Sequence, residues 1–110
     1  MFWPDTMTDN DGWTTVNAAA EGAGAVLRYW VSWSTEPEAL VVQIAIRSGA
    51  IARHMFPRGT VESVSSLTMR ETHKVCINPT FALESVIFMF GSAEDALLFH
   101  WAIVSALPRL

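Results

Sequence analysis

The densest apolar pattern in the chain runs from Glu84 to Leu107, ESVIFMFGSAEDALLFHWAIVSAL. Val86, Phe88 and Phe90 alternate with Ile87 and Met89, which is the period-2 pattern of a strand. Both of its faces are apolar, so the strand is expected at the centre of a sheet. A helix is predicted after a three-residue break. Ser92 followed by Asp95 is a capping-box-like start, and Glu94 and Asp95 suit the positive end of the helix dipole. Leu97, Trp101 and Val104 then form one apolar stripe, and Phe99, Ala102, Ile103 and Ala106 form a second, roughly opposite. A helix apolar on both sides must be covered on both sides. One side belongs to the sheet, and the other is left for the N-terminal segment, another helix or another chain.

Upstream, Val26 to Ser34 (VLRYWVSWS) reads as a strand rich in aromatic and β-branched residues. Alternation puts Leu27, Tyr29, Val31 and Trp33 on a core face and Val26, Arg28, Trp30 and Ser32 on a mixed one. A helix is predicted next, capped by Ser34 or Thr35, with Pro37 in its first turn and Glu36 and Glu38 near its N-terminus. At 100° per residue Leu40, Val41, Ile44, Ala45, Ser48, Ile51, Ala52, Met55 and Phe56 share one arc, and Gln43, Arg47, Arg53 and His54 lie opposite. The phase survives Gly49, so the helix is expected to reach about His54 and to stop at Pro57-Arg58-Gly59. Between Thr60 and Asn78 the Ser, Thr and β-branched content predicts a hairpin, one strand near Val61–Arg70 and the other near Thr72–Ile77. The resulting order, β-α-β-β-β-α, predicts an α+β fold: a ferredoxin-like sandwich or a truncated relative, an antiparallel sheet with two helices on one face. Residues 1–25 form an acidic, aromatic-dotted lead, and residues 26–110 a single α+β domain.

Charge sharpens that division. Residues 1–27 hold Asp5, Asp9, Asp11 and Glu21 and no Lys or Arg, so the whole net charge of −4 sits there, and the rest balances to zero. A neutral body argues against direct nucleic-acid binding, which needs clustered positive charge. The opening Met1-Phe2-Trp3-Pro4-Asp5 turns polar at once, unlike a signal peptide. The run Ala96–Leu107 is broken by His100 and Ser105 and is too short to span a bilayer. With one cysteine, Cys76, there is no intrachain disulfide, which fits a reducing compartment. The expected location is the cytoplasm of a host cell, without secretion and without a membrane.

Candidate chemistry is sparse. His73 and Cys76 are three residues apart on a strand and so face opposite ways, which excludes a nucleophile–base pair. His54, His73, Cys76 and His100 show no zinc-type spacing on one element, and neither nucleotide-loop motif occurs. No cofactor and no catalytic residue is expected.

Apolar surface is plentiful instead: apolar residues make up 51% of the chain and include five Trp and six Phe, more than a domain this small readily hides. The candidate contact residues are Trp30, Ile87 and Met89 on the sheet face away from the helices, and Phe99, Trp101 and Ile103 on the last helix. Phe2, Trp3 and Trp13 in the lead form a tail packed across the body or a docking segment for a partner. Arg47, Arg53, His54 and Arg58 form a solvated basic face or a docking surface for an acidic partner. Self-association into a two-fold dimer is the simplest use of such surfaces.

At Phe88-x-Phe90-x-Ser92-x-Glu94-Asp95-Ala96-x-x-Phe99 the chain resembles small bacteriophage and mobile-element α+β proteins that end in a strand followed by such a helix. The likeness covers mainly residues 86–101 and leaves out Trp13, Trp30 and Trp33. It implies a phage or mobile-element origin and a ferredoxin-like fold, and it carries no catalytic residue. The expected function is therefore a small non-enzymatic module that binds another protein stoichiometrically, as anti-CRISPR inhibitors of host defence complexes do. The rival reading is a structural virion or assembly component that uses the same surfaces to self-associate.

Overall fold

The structure, a computed structural model, describes residues 12–80 and 84–108. Seven strands precede one helix: β1 (Thr14–Thr15), β2 (Val26–Thr35), β3 (Glu38–Ile46), β4 (Ile51–Pro57), β5 (Val61–Met69), β6 (Thr72–Pro79), β7 (Val86–Phe90) and α1 (Ala93–Ala106). They form two antiparallel sheets, ordered β1-β2-β3-β4 and β5-β6-β7. A single parallel bridge between Ala25 and Met89 joins the start of β2 to β7.

This overturns the ferredoxin-like α+β sandwich with two helices on one sheet. The helix predicted over residues 34–54 is instead the hairpin β3–β4. Val41, Val42, Ile44, Ile46 and Ile51 are β-branched and favour a pleated surface. Leu40 to Ile44 are buried whichever way they point, so the apolar run matches a helical arc and a two-faced strand equally well. The turn decides between them. Gly49 has φ +95°, outside helical backbone, and its N–H bonds to Ile46 O at 2.9 Å. This is a three-residue hairpin loop with glycine in its left-handed position. Thr35 and Glu38 are likewise a paired strand end flanking Glu36–Pro37, whose peptide bond is cis, so Pro37 occupies a turn and not a first helical turn.

Inside the first sheet, register stacks Tyr29 beside Ile44 and Ala52, Val31 beside Val42 and His54, and Trp33 beside Leu40 and Phe56. These rows face the core. A bulge between Val26 and Arg28 shifts the alternation, so Val26 rather than Leu27 enters the core at the start of β2. The second sheet contributes Ile77, Val75, Phe88 and Phe90, and α1 contributes Ala96, Phe99 and Ile103. The aromatic rings interlock. Phe99 lies 4.9 Å from each of Tyr29, Phe88 and Phe90, and His54 meets Phe88 edge-on at 5.6 Å. One apolar cluster thus joins both sheets to the inner side of the helix.

β7 is not central as its two apolar faces suggested: it ends its sheet, and Ile87 on its outer side is exposed. Residues 12–25 lie against the body. Trp13 is buried with Arg28 stacked over its ring at 4.9 Å, and β1 pairs Thr14 with Tyr29. Further on, Asp95 accepts the backbone N–H groups of Asn17 and Ala18, Gly91 N–H bonds to Ala18 O, and Arg47 donates to Ala20 O at 2.8 Å.

Candidate protein-docking face

α1 starts at the N-cap Ser92, whose hydroxyl accepts the Asp95 N–H at 3.1 Å and donates to the Asp95 carboxylate at 2.9 Å. This cap sets the rotation of the helix. With Asp95, Ala96, Phe99 and Ile103 turned inward, Leu97, Leu98, Trp101 and Val104 must turn outward. Trp101 is 60% exposed and Leu97 58%, and their weight lies in being neighbours in one patch. The four side chains present on the order of 400 Å² of apolar surface, within the range of the largest and often functional patch on a monomer.

Beside the stripe runs β5, the outer strand of its sheet. Its residues are mostly exposed on both faces, including Leu67 and Met69. Between Ser63 and Met69 it carries no charge, proline or bulge, the devices that usually blunt a sheet edge. Ser66 Oγ lies 3.0 Å from His100 Nδ1, which ties the strand to the helix. Around this contact Ser66, Leu97, His100, Trp101 and Val104 line a groove of about 310 Å³. A second hollow of about 270 Å³ continues from Ser66 and Leu97 toward His73 and Lys74. A strand edge that no described strand pairs and an apolar stripe therefore lie side by side.

The other candidate residues do not assemble into one site. Phe99 and Ile103 are wholly buried, which removes them from any contact surface: they form the stripe that covers the sheets. Trp13 is buried too, and Phe2 and Trp3 lie outside the described residues. Trp30 is on the outer face of the first sheet beside Gln43, and Gly12 approaches it so closely that a Cβ there would sit 2.8 Å from its Nε1. Ile87 and Met89 are on the outer face of the second sheet, with Met89 beside Lys74 and then Leu67 across the strands.

The basic face disperses because its helix does not exist. Arg53 points outward beside Gln43 while His54, its neighbour, points into the core. Burial pushes the His54 pKa below its ordinary value. Arg47 is on the β3–β4 loop, and Arg58, just after β4, pairs with Glu38 at 3.0 Å on the surface.

Leu98 on α1, and Leu67 and Met69 on the outer face of the second sheet, are exposed apolar residues that sequence reasoning missed. Their signal is faint. Leu67 and Met69 share one parity with Ser63 and Ser65 in a strand without charges after Glu62, which is how an edge strand with one sticky end reads.

Tyr29, against Phe99, has its pKa raised by burial and by the nearby Asp95 carboxylate, against the opposing effect of a hydrogen bond with Thr14. Tyr29 and Asp95 both serve the core and the helix cap. Among the described residues no three His, Cys, Asp or Glu side chains gather as metal ligands, and no helix is long and apolar enough to cross a membrane. His73 faces inward beside Phe90, and Cys76 faces outward beside Ile87. No protein-family model, curated protein or solved structure matches the chain.

Proposed function

We propose that the protein is a small binding module without chemistry of its own, and that it docks another polypeptide on the face formed by α1 and β5. One observation carries this reading: Leu97, Trp101 and Val104 stand outward on α1 and line a groove with Ser66 of β5, whose outer edge no described strand pairs. Apolar area supplies affinity, and an open row of backbone donors and acceptors supplies register, the combination used in strand addition. Two uses of such a face differ in who occupies it. An inhibitor of a host complex keeps the face free for its target; an assembly component gives it to copies of itself. The uncharged, serine-rich run of β5 favours the second use, because charge on an edge is the usual means of preventing self-pairing.

The test is the double variant Leu97→Ser/Trp101→Ser. Both positions are exposed, so the far-UV circular dichroism is expected to stay at the wild-type value. Association should fall, read as molar mass by light scattering and as binding of a hydrophobic dye. A double variant that keeps the mass and dye binding of the wild type overturns the docking reading.

A further inference from the structure

We infer that the occupant of this face is a second copy of the chain, joined by antiparallel pairing of β5 with its equivalent about a two-fold axis at Ser66. The inference rests on the docking reading above and adds the partner and the register.

Hydrogen-bond parity sets the register. Met69 and Thr72 flank the two-residue connection Arg70–Glu71, with Arg70 at φ 56°. In such a hairpin the flanking pair exchanges both backbone bonds, and the alternation continues through Leu67/Lys74 and Ser65/Cys76. The N–H and C=O groups of Val64, Ser66 and Thr68 therefore point away from β6, toward the open edge. A two-fold axis at Ser66 sets Ser66 against Ser66 of the second copy and Val64 against its Thr68. Every outward group then meets a complementary one.

Side chains agree with that register. It sets Ser63 opposite Met69 of the second copy at each end of the paired segment, which is bounded by the bulge between Val61 and Ser63 and by the turn at Arg70. On the outer sheet face Leu67 lies opposite Ser65 of the second copy, and the two Leu67 side chains become diagonal neighbours. On the helix face Ser66 is also the centre of the groove lined by Leu97, His100, Trp101 and Val104. An axis there turns each stripe toward its counterpart. The stripe offers roughly half of the 800 Å² per partner that a specific interface needs, and the strand edge and Leu67 add to it. The face is self-complementary, which is what an isologous contact requires.

Light scattering on the full chain at micromolar concentration is expected to give twice 12.2 kDa. In a Cys76→Ser background, Ser66→Cys should cross-link two copies on mild oxidation, because a hydrogen-bonded antiparallel pair sets its Cα atoms about 5.5 Å apart, within disulfide reach. Val64→Cys in the same background should not, since the two Val64 positions are four residues out of register, about 14 Å along the strand. Ser66→Pro should yield a folded monomer, since that N–H belongs to no β5–β6 bond. A dimer that does not cross-link through Ser66→Cys overturns the register. A monomeric wild type whose dye binding drops with Trp101→Ser overturns the second copy and leaves the docking face standing. A monomer in which Trp101→Ser changes nothing overturns both.

Discussion

Asp95→Ala is the most informative single substitution in the fold, because Asp95 joins three parts of it. Its buried carboxylate accepts Asn17 N–H at 3.0 and 3.1 Å, Ala18 N–H at 3.0 Å and the Ser92 hydroxyl at 2.9 Å. Truncation leaves two backbone N–H groups facing a void. Each lost bond to a charged acceptor is worth about 1.5–3 kcal/mol. Water reaches Asn17 and Ala18 in part, so the lower end applies, and the total is about 3 kcal/mol. In a domain of this size about 4 °C of melting temperature accompanies each kcal/mol, which predicts a fall of roughly 12 °C. In urea, with a slope of about 1.5 kcal/mol/M, the midpoint should drop by about 2 M.

Ser92→Ala removes only the cap and should cost about 1 kcal/mol. Because Ser92 and Asp95 bond to each other reciprocally, the two losses should fail to add in a double-mutant cycle. A fall of less than 4 °C for Asp95→Ala, or strict additivity, refutes the view that this carboxylate fastens residues 17–18 to the helix.

Gly91→Ala should be severe, about 3 kcal/mol in a urea titration, since its Cβ would sit 2.6–2.7 Å from backbone atoms of Ala18 and Ala19, which cannot yield cheaply. Gln43→Leu should raise stability by about 1 kcal/mol in a urea titration, because Gln43 Oε1 is buried with no hydrogen-bond partner among the described residues and Leu removes the unpaired acceptor at similar volume. For His54 the folded pKa is depressed by burial, so the unfolded chain takes up a proton first as pH falls. Stability should be undiminished above about pH 6.5, the unperturbed value, and decline below it until the folded pKa is passed. His54→Phe should flatten that part of the profile measured by thermal melts between neutral and mildly acid pH.

Much of the second half of the molecule was legible in its residues. The hairpin near Val61–Ile77, the strand Val86–Phe90 and the capped helix from Ser92 occur where periodicity and capping put them. The two stripes of α1 are real, and their roles separate cleanly: Phe99 and Ile103 inward, Leu97, Trp101 and Val104 outward. The error lies in residues 38–56. A run such as Leu40-Val41-Val42-Gln43-Ile44 satisfies both a 3.6-residue and a 2-residue period when both faces are covered. Its β-branched content and the Ser48-Gly49 pair were the local evidence for a hairpin.

By themselves, the residues determined where the chain turns sticky, where α1 begins, and that apolar surface exceeds what one small core absorbs. These are local matters of capping chemistry, periodicity and composition. Only the tertiary structure decided which apolar residues are spent on the core. Burial depends on what lies across the sheet: Phe99 vanishes because Tyr29, Phe88 and Phe90 converge on it from distant parts of the chain. Trp101, two residues later and larger, stays in water because no described element reaches that side of the helix. The placement of β5 beside it, at an edge that no described strand pairs, is likewise a consequence of strand order, which no local pattern encodes.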